Sequence, residues 1–187
     1  MVIRKQNVMV AFVLVAAIVA PASTDAWKQF RSPKGFSVMY PGTWFEIGRS
    51  PDRLQLLSSA HGAEGIVIKR GQAEVVVLEA SELSAKTLAQ VIDYYTQRAT
   101  VLSRRNISER DRGSCGNLQE VVSKEPAVPP KDVPTYVRVP YIINTDLFCE
   151  VGGRKIVVLL RNWEGDKRQA QYQWVALRMA KSIRILQ

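Results

Sequence analysis

Between Lys155 and Trp163 the chain runs Ile156-Val157-Val158-Leu159-Leu160 without a polar interruption. Side chains of a strand alternate between its two faces, so an unbroken apolar run suits a central strand buried on both. The rest of the chain must then supply a covering layer on each side. Leu88, Val91, Ile92, Tyr95 and Ala99 recur at three- and four-residue steps behind Ser84, a residue type that caps helix starts. Tyr172, Val175, Met179 and Ile183 make a second stripe, which Ala170, Trp174 and Leu177 widen. Asp166 and Gln169 stand ahead of it at the spacing of a capping box. An amphipathic helix must lie on something apolar. The expected fold is therefore α+β, an antiparallel sheet sandwiched between helices.

Short strands fill the remainder. Phe36 to Tyr40 alternates between the turns at Gly35 and at Pro41-Gly42. Apolar stretches follow at Trp44 to Ile47, Leu54 to Leu57, Ile66 to Ile68 and Val75 to Leu78, spaced as an antiparallel meander. The mixed charges from Arg104 to Arg112, closed by Gly113, predict a solvated loop or edge. Strands resume at Asn117 to Val122 and, past a loop with Pro126, Pro129, Pro130 and Pro134, at Tyr136 to Val151. Pro140 marks an edge or a bulge in the latter, and Gly152-Gly153 turns the chain into the central strand. Neither an internal repeat nor a linker divides residues 27–187, which are expected to form one domain.

Residues 1–26 read as a secretory signal peptide: Arg4 and Lys5, an apolar run from Val8 to Ala20, then small residues. Cleavage after Ala22 or Ala26 would start the mature chain at Ser23 or Trp27. The run is short for a bilayer span, which takes about 20 residues; an uncleaved anchor is the competing reading. The expected location is extracytoplasmic, periplasmic or secreted. In such an oxidising compartment, the only two cysteines, Cys115 and Cys149, are expected to form one disulfide.

The order of these elements, with two motifs, resembles a known family. Gly35-Phe36-Ser37-Val38-x-Tyr40-Pro41-x-x-Trp44 is similar to the opening signature of PsbP-like domains. Leu177-x-x-Ala180-Lys181-Ser182-Ile183-Arg184 is similar to their last helix and short strand. That group shares its fold with Ran-binding Mog proteins and DcrB-type bacterial proteins. The resemblance implies a helix–sheet–helix sandwich and an accessory or binding role without chemistry of its own. The family's namesake is an extrinsic subunit of the oxygen-evolving photosystem in the thylakoid lumen. This chain has neither a long bipartite transit segment nor a lipid-anchoring cysteine, so a bacterial exported relative is the better fit.

The residues offer little chemistry. No catalytic, metal-binding or cofactor-binding set is expected. His61, the only histidine, has no Gly-x-Ser-x-Gly elbow to serve. One histidine and two distant cysteines do not make a zinc site. Glu164-Gly165-Asp166 reads as a turn and helix cap rather than a calcium loop. Asp146 and Glu150 share a strand face about 13 Å apart, beyond the span of a glycosidase pair. Trp44, Trp163 and Trp174 read as core residues. Asn106-Ile107-Ser108 is a glycosylation sequon, meaningful only in a eukaryote. The alternative function is a cell-envelope hydrolase whose carboxylates the fold assembles.

Charge bears on partners. Lys and Arg number 26 against 17 Asp and Glu, and loss of Arg4, Lys5 and Asp25 leaves +8 on the mature chain. A basic surface favours an acidic protein, an acidic polymer or an anionic membrane; nucleic acid is not expected outside the cytoplasm. Arg104, Arg105, Arg110, Arg112, Arg154, Lys155, Lys167 and Arg168 are the candidate contacts, and simple solvation of the surface is the competing reading.

Overall fold

The computed structural model describes residues 26–59, 68–84, 86–127 and 141–186. The expected signal segment up to residue 25, His61, Ile66 and most of the proline-rich loop lie outside the described residues. Described strands are β1 (Trp27–Ser32), β2 (Phe36–Pro41), β3 (Phe45–Ser50), β4 (Arg53–Leu57), β5 (Ala73–Glu79), β6 (Thr100–Asn106), β7 (Asn117–Pro126), β8 (Tyr141–Val151), β9 (Arg154–Trp163) and β10 (Arg184–Ile185). The α-helices are α1 (Leu88–Thr96) and α2 (Gln169–Lys181).

Seven strands form one antiparallel sheet in the order β3-β4-β5-β9-β8-β7-β6. The apolar run Ile156 to Leu160 lies in β9, the middle strand, as two-sided burial requires. A meander lays down β3, β4 and β5. The chain then crosses to the far edge through α1 and walks back from β6 to β9 by hairpins. Gly152 and Gly153 form the last hairpin loop, with φ of 55° and 75°. Two consecutive left-handed residues match the twist of the flanking strands, and glycine takes that conformation without a Cβ clash.

The helices cover opposite faces. Leu88, Val91 and Ile92 of α1 pack with Val121, Phe148 and Val157. On the other face, Tyr172, Val175, Ala176, Met179 and Ala180 of α2 join Leu147, Val158 and Leu160. Each large side chain so buried contributes about 1.5–3 kcal/mol, so this interdigitation holds the layers together. A second sheet, β1-β2-β10, joins the α2 side through Phe30, Phe36 and Val38. Arg154 links the two sheets: its guanidinium donates to both oxygens of Glu79 at 2.7 and 2.6 Å and to the Gly35 carbonyl at 3.0 Å.

Two helix starts differ from expectation. Thr87, not Ser84, caps α1: Thr87 accepts from the Gln90 amide while the Gln90 side chain accepts from the Thr87 N–H. Ser84 instead ends a 3₁₀ turn over Ser81–Leu83. Asp166 likewise does not cap α2. Its carboxylate accepts from the Arg168 N–H at 2.8 Å in the preceding turn, and the helix begins at Gln169. The charged stretch from Arg104 divides between the end of edge strand β6, exposed throughout, and a 3₁₀ turn over Glu109–Asp111. A charged edge of this kind resists pairing with another chain. Gly113 follows at φ 65°, where an added Cβ would lie 2.2 Å from the Lys181 carbonyl oxygen. This close approach brings Cys115 beneath the end of α2, where it is bonded to Cys149 with the two Cα atoms 5.4 Å apart.

Candidate functional site

Trp174, the tryptophan of the expected α2 stripe, is not in the core. Each helical residue turns about 100°, so Trp174, two residues past buried Tyr172, points to the opposite side of α2. Trp174 is 55% exposed. Trp44 is buried and Trp163 half-buried, with its indole N–H donating to the Ile68 carbonyl at 2.7 Å. Trp174 leans instead on Trp27 of β1, edge to face, with ring centroids 6.3 Å apart. Arg178, four residues on and hence on the same face, lays its guanidinium 4.3 Å from the Trp27 centroid and 5.2 Å from that of Trp174.

Together with Trp44, Tyr172 and Arg168, these side chains line a groove of about 380 Å³ between α2 and the β1–β2 hairpin. Arg168 lies 5.4 Å over the Tyr172 ring, which meets Trp44 edge-on at 6.1 Å. Arg178 makes no hydrogen bond and no ion pair with any described residue. Its planar cation is held between aromatic faces with its N–H donors free to take an acceptor from outside.

Most of the cations expected to meet an acidic partner are compensated by neighbours. Arg105 donates to both oxygens of Glu120, at 2.7 and 3.0 Å, and this hydrogen bonding raises its pKa above the ordinary arginine value. Arg154 is held the same way by Glu79. Lys155 is buried and donates to the Ser84 carbonyl at 2.9 Å. Arg104 reaches Gln119 and Asp93, Arg110 reaches Asp111, and Arg112 reaches Glu109. Around α2, from Asp166 to Arg184, stand Lys167, Arg168, Arg178, Lys181 and Arg184 against Asp166 alone; Arg168 lies 4.0 Å from Asp166 and Lys181 3.6 Å from Asp111, which leaves Lys167, Arg178 and Arg184 without an ion pair among the described residues.

Asp146 and Glu150 face the α1 side of the sheet, and it is Asp146 alone that enters a cleft there, with Glu74 and Glu125. Arg161 lies between those two glutamates, donating to Glu125 and 4.0 Å from Glu74. They are therefore tied to one cation rather than set as an acid–base pair. Burial pushes the Asp146 carboxyl up to about 7, against the lowering field of Arg161. Among the described residues no group of three His, Cys, Asp or Glu side chains is placed to hold a metal ion. No described helix is long and apolar enough to cross a membrane.

No protein-family model matches the chain, and no curated protein does. Solved structures do. A Bacteroides thetaiotaomicron protein aligns over 86% of this chain at 13% identity and a TM-score of 0.48; the chain spans only 48% of that protein's length. A cyanobacterial PsbP from Synechocystis aligns over 89% of this chain and 96% of its own at 12% identity, with a TM-score of 0.40. The Saccharomyces cerevisiae Ran-binding protein Mog1p aligns over 87% of this chain and 97% of its own at 8% identity, with a TM-score of 0.54. At such identities the likeness concerns the fold, and the Mog1p match is the one that supports it. The chain has the antiparallel, two-helix α+β fold of the PsbP/Mog1-like group.

Proposed function

We propose that this chain is an exported, non-enzymatic binding protein that takes an acidic segment of a partner protein into the groove between α2 and the β1–β2 hairpin. The observation that carries this reading is Arg178, a cation set against Trp27 and Trp174 with no acceptor among the described residues. Tryptophan, tyrosine and arginine dominate the energetics of protein interfaces, and desolvated aromatic pockets are where they do so. A concave groove suits a chain segment better than a flat bilayer. The excess of cations around α2 favours carboxylates in that segment. Mog1p, by its name a Ran-binding protein, is a protein-binding example of the same fold, an analogy that supports the class of function and not the partner.

A photo-crosslinking side chain at Gln171, on the groove wall, tests this in the native host. The cross-linked partner segment should be rich in Asp and Glu. As a synthetic peptide it should bind Trp174→Ala about 10–30-fold more weakly than the wild type, the loss typical of a central aromatic anchor. Raising salt should slow its association. Cross-links to lipid, or to a segment without excess acid, would refute the reading.

Export is supported by the pattern of residues 1–26 and by the disulfide, which needs an oxidising compartment. Of the two cleavage sites, the one after Ala22 suits the fold. The Ala26 carbonyl accepts the Gly42 N–H at 2.9 Å and so anchors the start of β1. Cleavage after Ala26 would remove that acceptor. N-terminal sequencing of the exported protein should begin Ser-Thr-Asp-Ala-Trp; Trp in the first cycle would contradict this.

A further inference from the structure

The cleft on the α1 side is independent of the groove, and its polar groups are unusual for a sheet face. The floor runs in register across four strands: Asp146 on β8 opposite Leu159 on β9, opposite Val76 on β5, opposite Gln55 on β4. Strand spacing makes this row about 14 Å long. The neighbouring row is Asn144, Arg161 and Glu74. The α1 helix covers the sheet beside Phe148 and Val157 and leaves these rows open, with Tyr95 as a wall. The cleft holds about 380 Å³, enough for a small organic molecule.

The hydrogen-bonding inventory of this cleft is one-sided. Arg161 is engaged by Glu125 and Glu74, and Glu74 also accepts from Gln55. Asp146, only 5% exposed, has no hydrogen-bond partner among the described residues. Asn144, 8% exposed, keeps an unpartnered Oδ1 beside it. Native proteins rarely leave buried polar groups unpaired, least of all a carboxylate. With Asp146 ionised both orphan groups are acceptors, so whatever completes the site must donate. A carboxylate next to apolar Leu159 and Val121 is best completed by a donor that also bears positive charge.

We propose that this cleft is a binding site for a small primary amine, whose ammonium group donates to Asp146 and Asn144 while its apolar body lies over Leu159 and Val76 against Tyr95. A divalent cation is a poorer occupant, because no three ligand side chains are placed around one point among the described residues. The other charged or titratable groups facing Asp146 are Arg161 on β9, Glu125 on β7, Glu74 on β5, Arg53 on β4 and Tyr95 on α1, with the Arg104–Asp93 pair beyond Val121. Of these, Arg161 favours ionisation of Asp146 but is already shared by two carboxylates, which leaves the ionised form short of a cation. The amine should therefore bind the ionised form of Asp146.

The test uses the intact mature protein and three probes: benzylamine, 1,5-diaminopentane and, as a neutral control, benzyl alcohol. Amide shifts in a two-dimensional NMR titration should move at Val76, Asn144, Asp146 and Leu159 with at least one amine. That amine should bind about tenfold or more tightly at about pH 8 than at about pH 5.5, following the ionised fraction of the carboxyl. Asp146→Asn should weaken it about tenfold and remove the pH dependence. Should that variant fold poorly, Leu159→Trp fills the floor and should abolish binding while leaving Asp146 in place. Equal binding of benzylamine and benzyl alcohol, shifts confined to the groove at Trp174, or no shift with either amine would each overturn the proposal.

Discussion

Asp146→Asn should leave the protein more stable than the wild type at about pH 8 and no more stable at about pH 5. An unfolded chain ionises an aspartate near its ordinary value of 3.8, whereas burial holds Asp146 at about 7. Between those values the folded state binds the extra proton. Stability therefore falls as pH rises from about 4 to about 7 and is level above that. Three pKa units correspond to a ceiling of about 4 kcal/mol. The unsatisfied amide of the replacement returns about 1–3 kcal/mol of this, leaving a net gain of about 1–3 kcal/mol for the variant above neutrality. Asp52 and Asp111 act in the opposite sense, since hydrogen bonds from Ser50 and Ser108 lower their pKa values. Their contribution is lost only as pH falls below about 4, outside this window. Urea unfolding of both proteins across this range is the measurement. Parallel stability profiles would show that Asp146 is not the group whose burial sets the slope.

What could be read from the chain alone follows from which signals have one physical solution. The run Ile156 to Leu160 has one, burial on both faces, and it is the middle strand of seven. Gly152-Gly153 has one as well. Helix starts have several, because Ser84, Thr87 and Asp166 are all competent caps by residue type. The reciprocal Thr87–Gln90 pair was the signal that separates them, while the same spacing at Asp166 and Gln169 serves a turn. Apolarity alone places Trp174 in the core, although its helical angle opposes Tyr172; counting degrees rather than apolar residues places it outside. As half of a pair with Glu150, Asp146 points to no site. The available clue is that Asn144 and Asp146 stand at alternate positions in the middle of a long strand, so two polar groups share one face. Their meeting with Glu74 and Arg161 was not legible, because it depends on the pairing of β5 with β9, set by the α1 crossover.

Removing the disulfide should have the largest effect on stability of any change considered. The bridge ties Cys115, in the turn before β7, to Cys149 in the second-most central region of the sheet, on β8. Both cysteines are buried under the end of α2, where the Cys115 sulfur approaches the Ala180 carbonyl oxygen at 3.8 Å. The bonded residues are 34 apart. In the chain-entropy account, closing a loop of that size restricts the unfolded ensemble by about 3.5–4 kcal/mol. The double replacement Cys115→Ala/Cys149→Ala keeps the site apolar, so little else should be lost beyond two small cavities. For a domain of this size about 1 kcal/mol corresponds to a shift of about 2–4 °C in Tm, so a fall of about 8–15 °C is expected. The wild type under strong reductant should fall by a similar amount, while the Ala variant should be indifferent to reductant. The anchor at Gly113, whose backbone lies against Lys181, should keep the turn near α2 in the variant. The groove at Trp174 and the cleft at Asp146 should therefore retain their NMR signatures. A fall of less than about 3 °C would mean that the unfolded chain is already compact around this loop, so that the bridge restricts little.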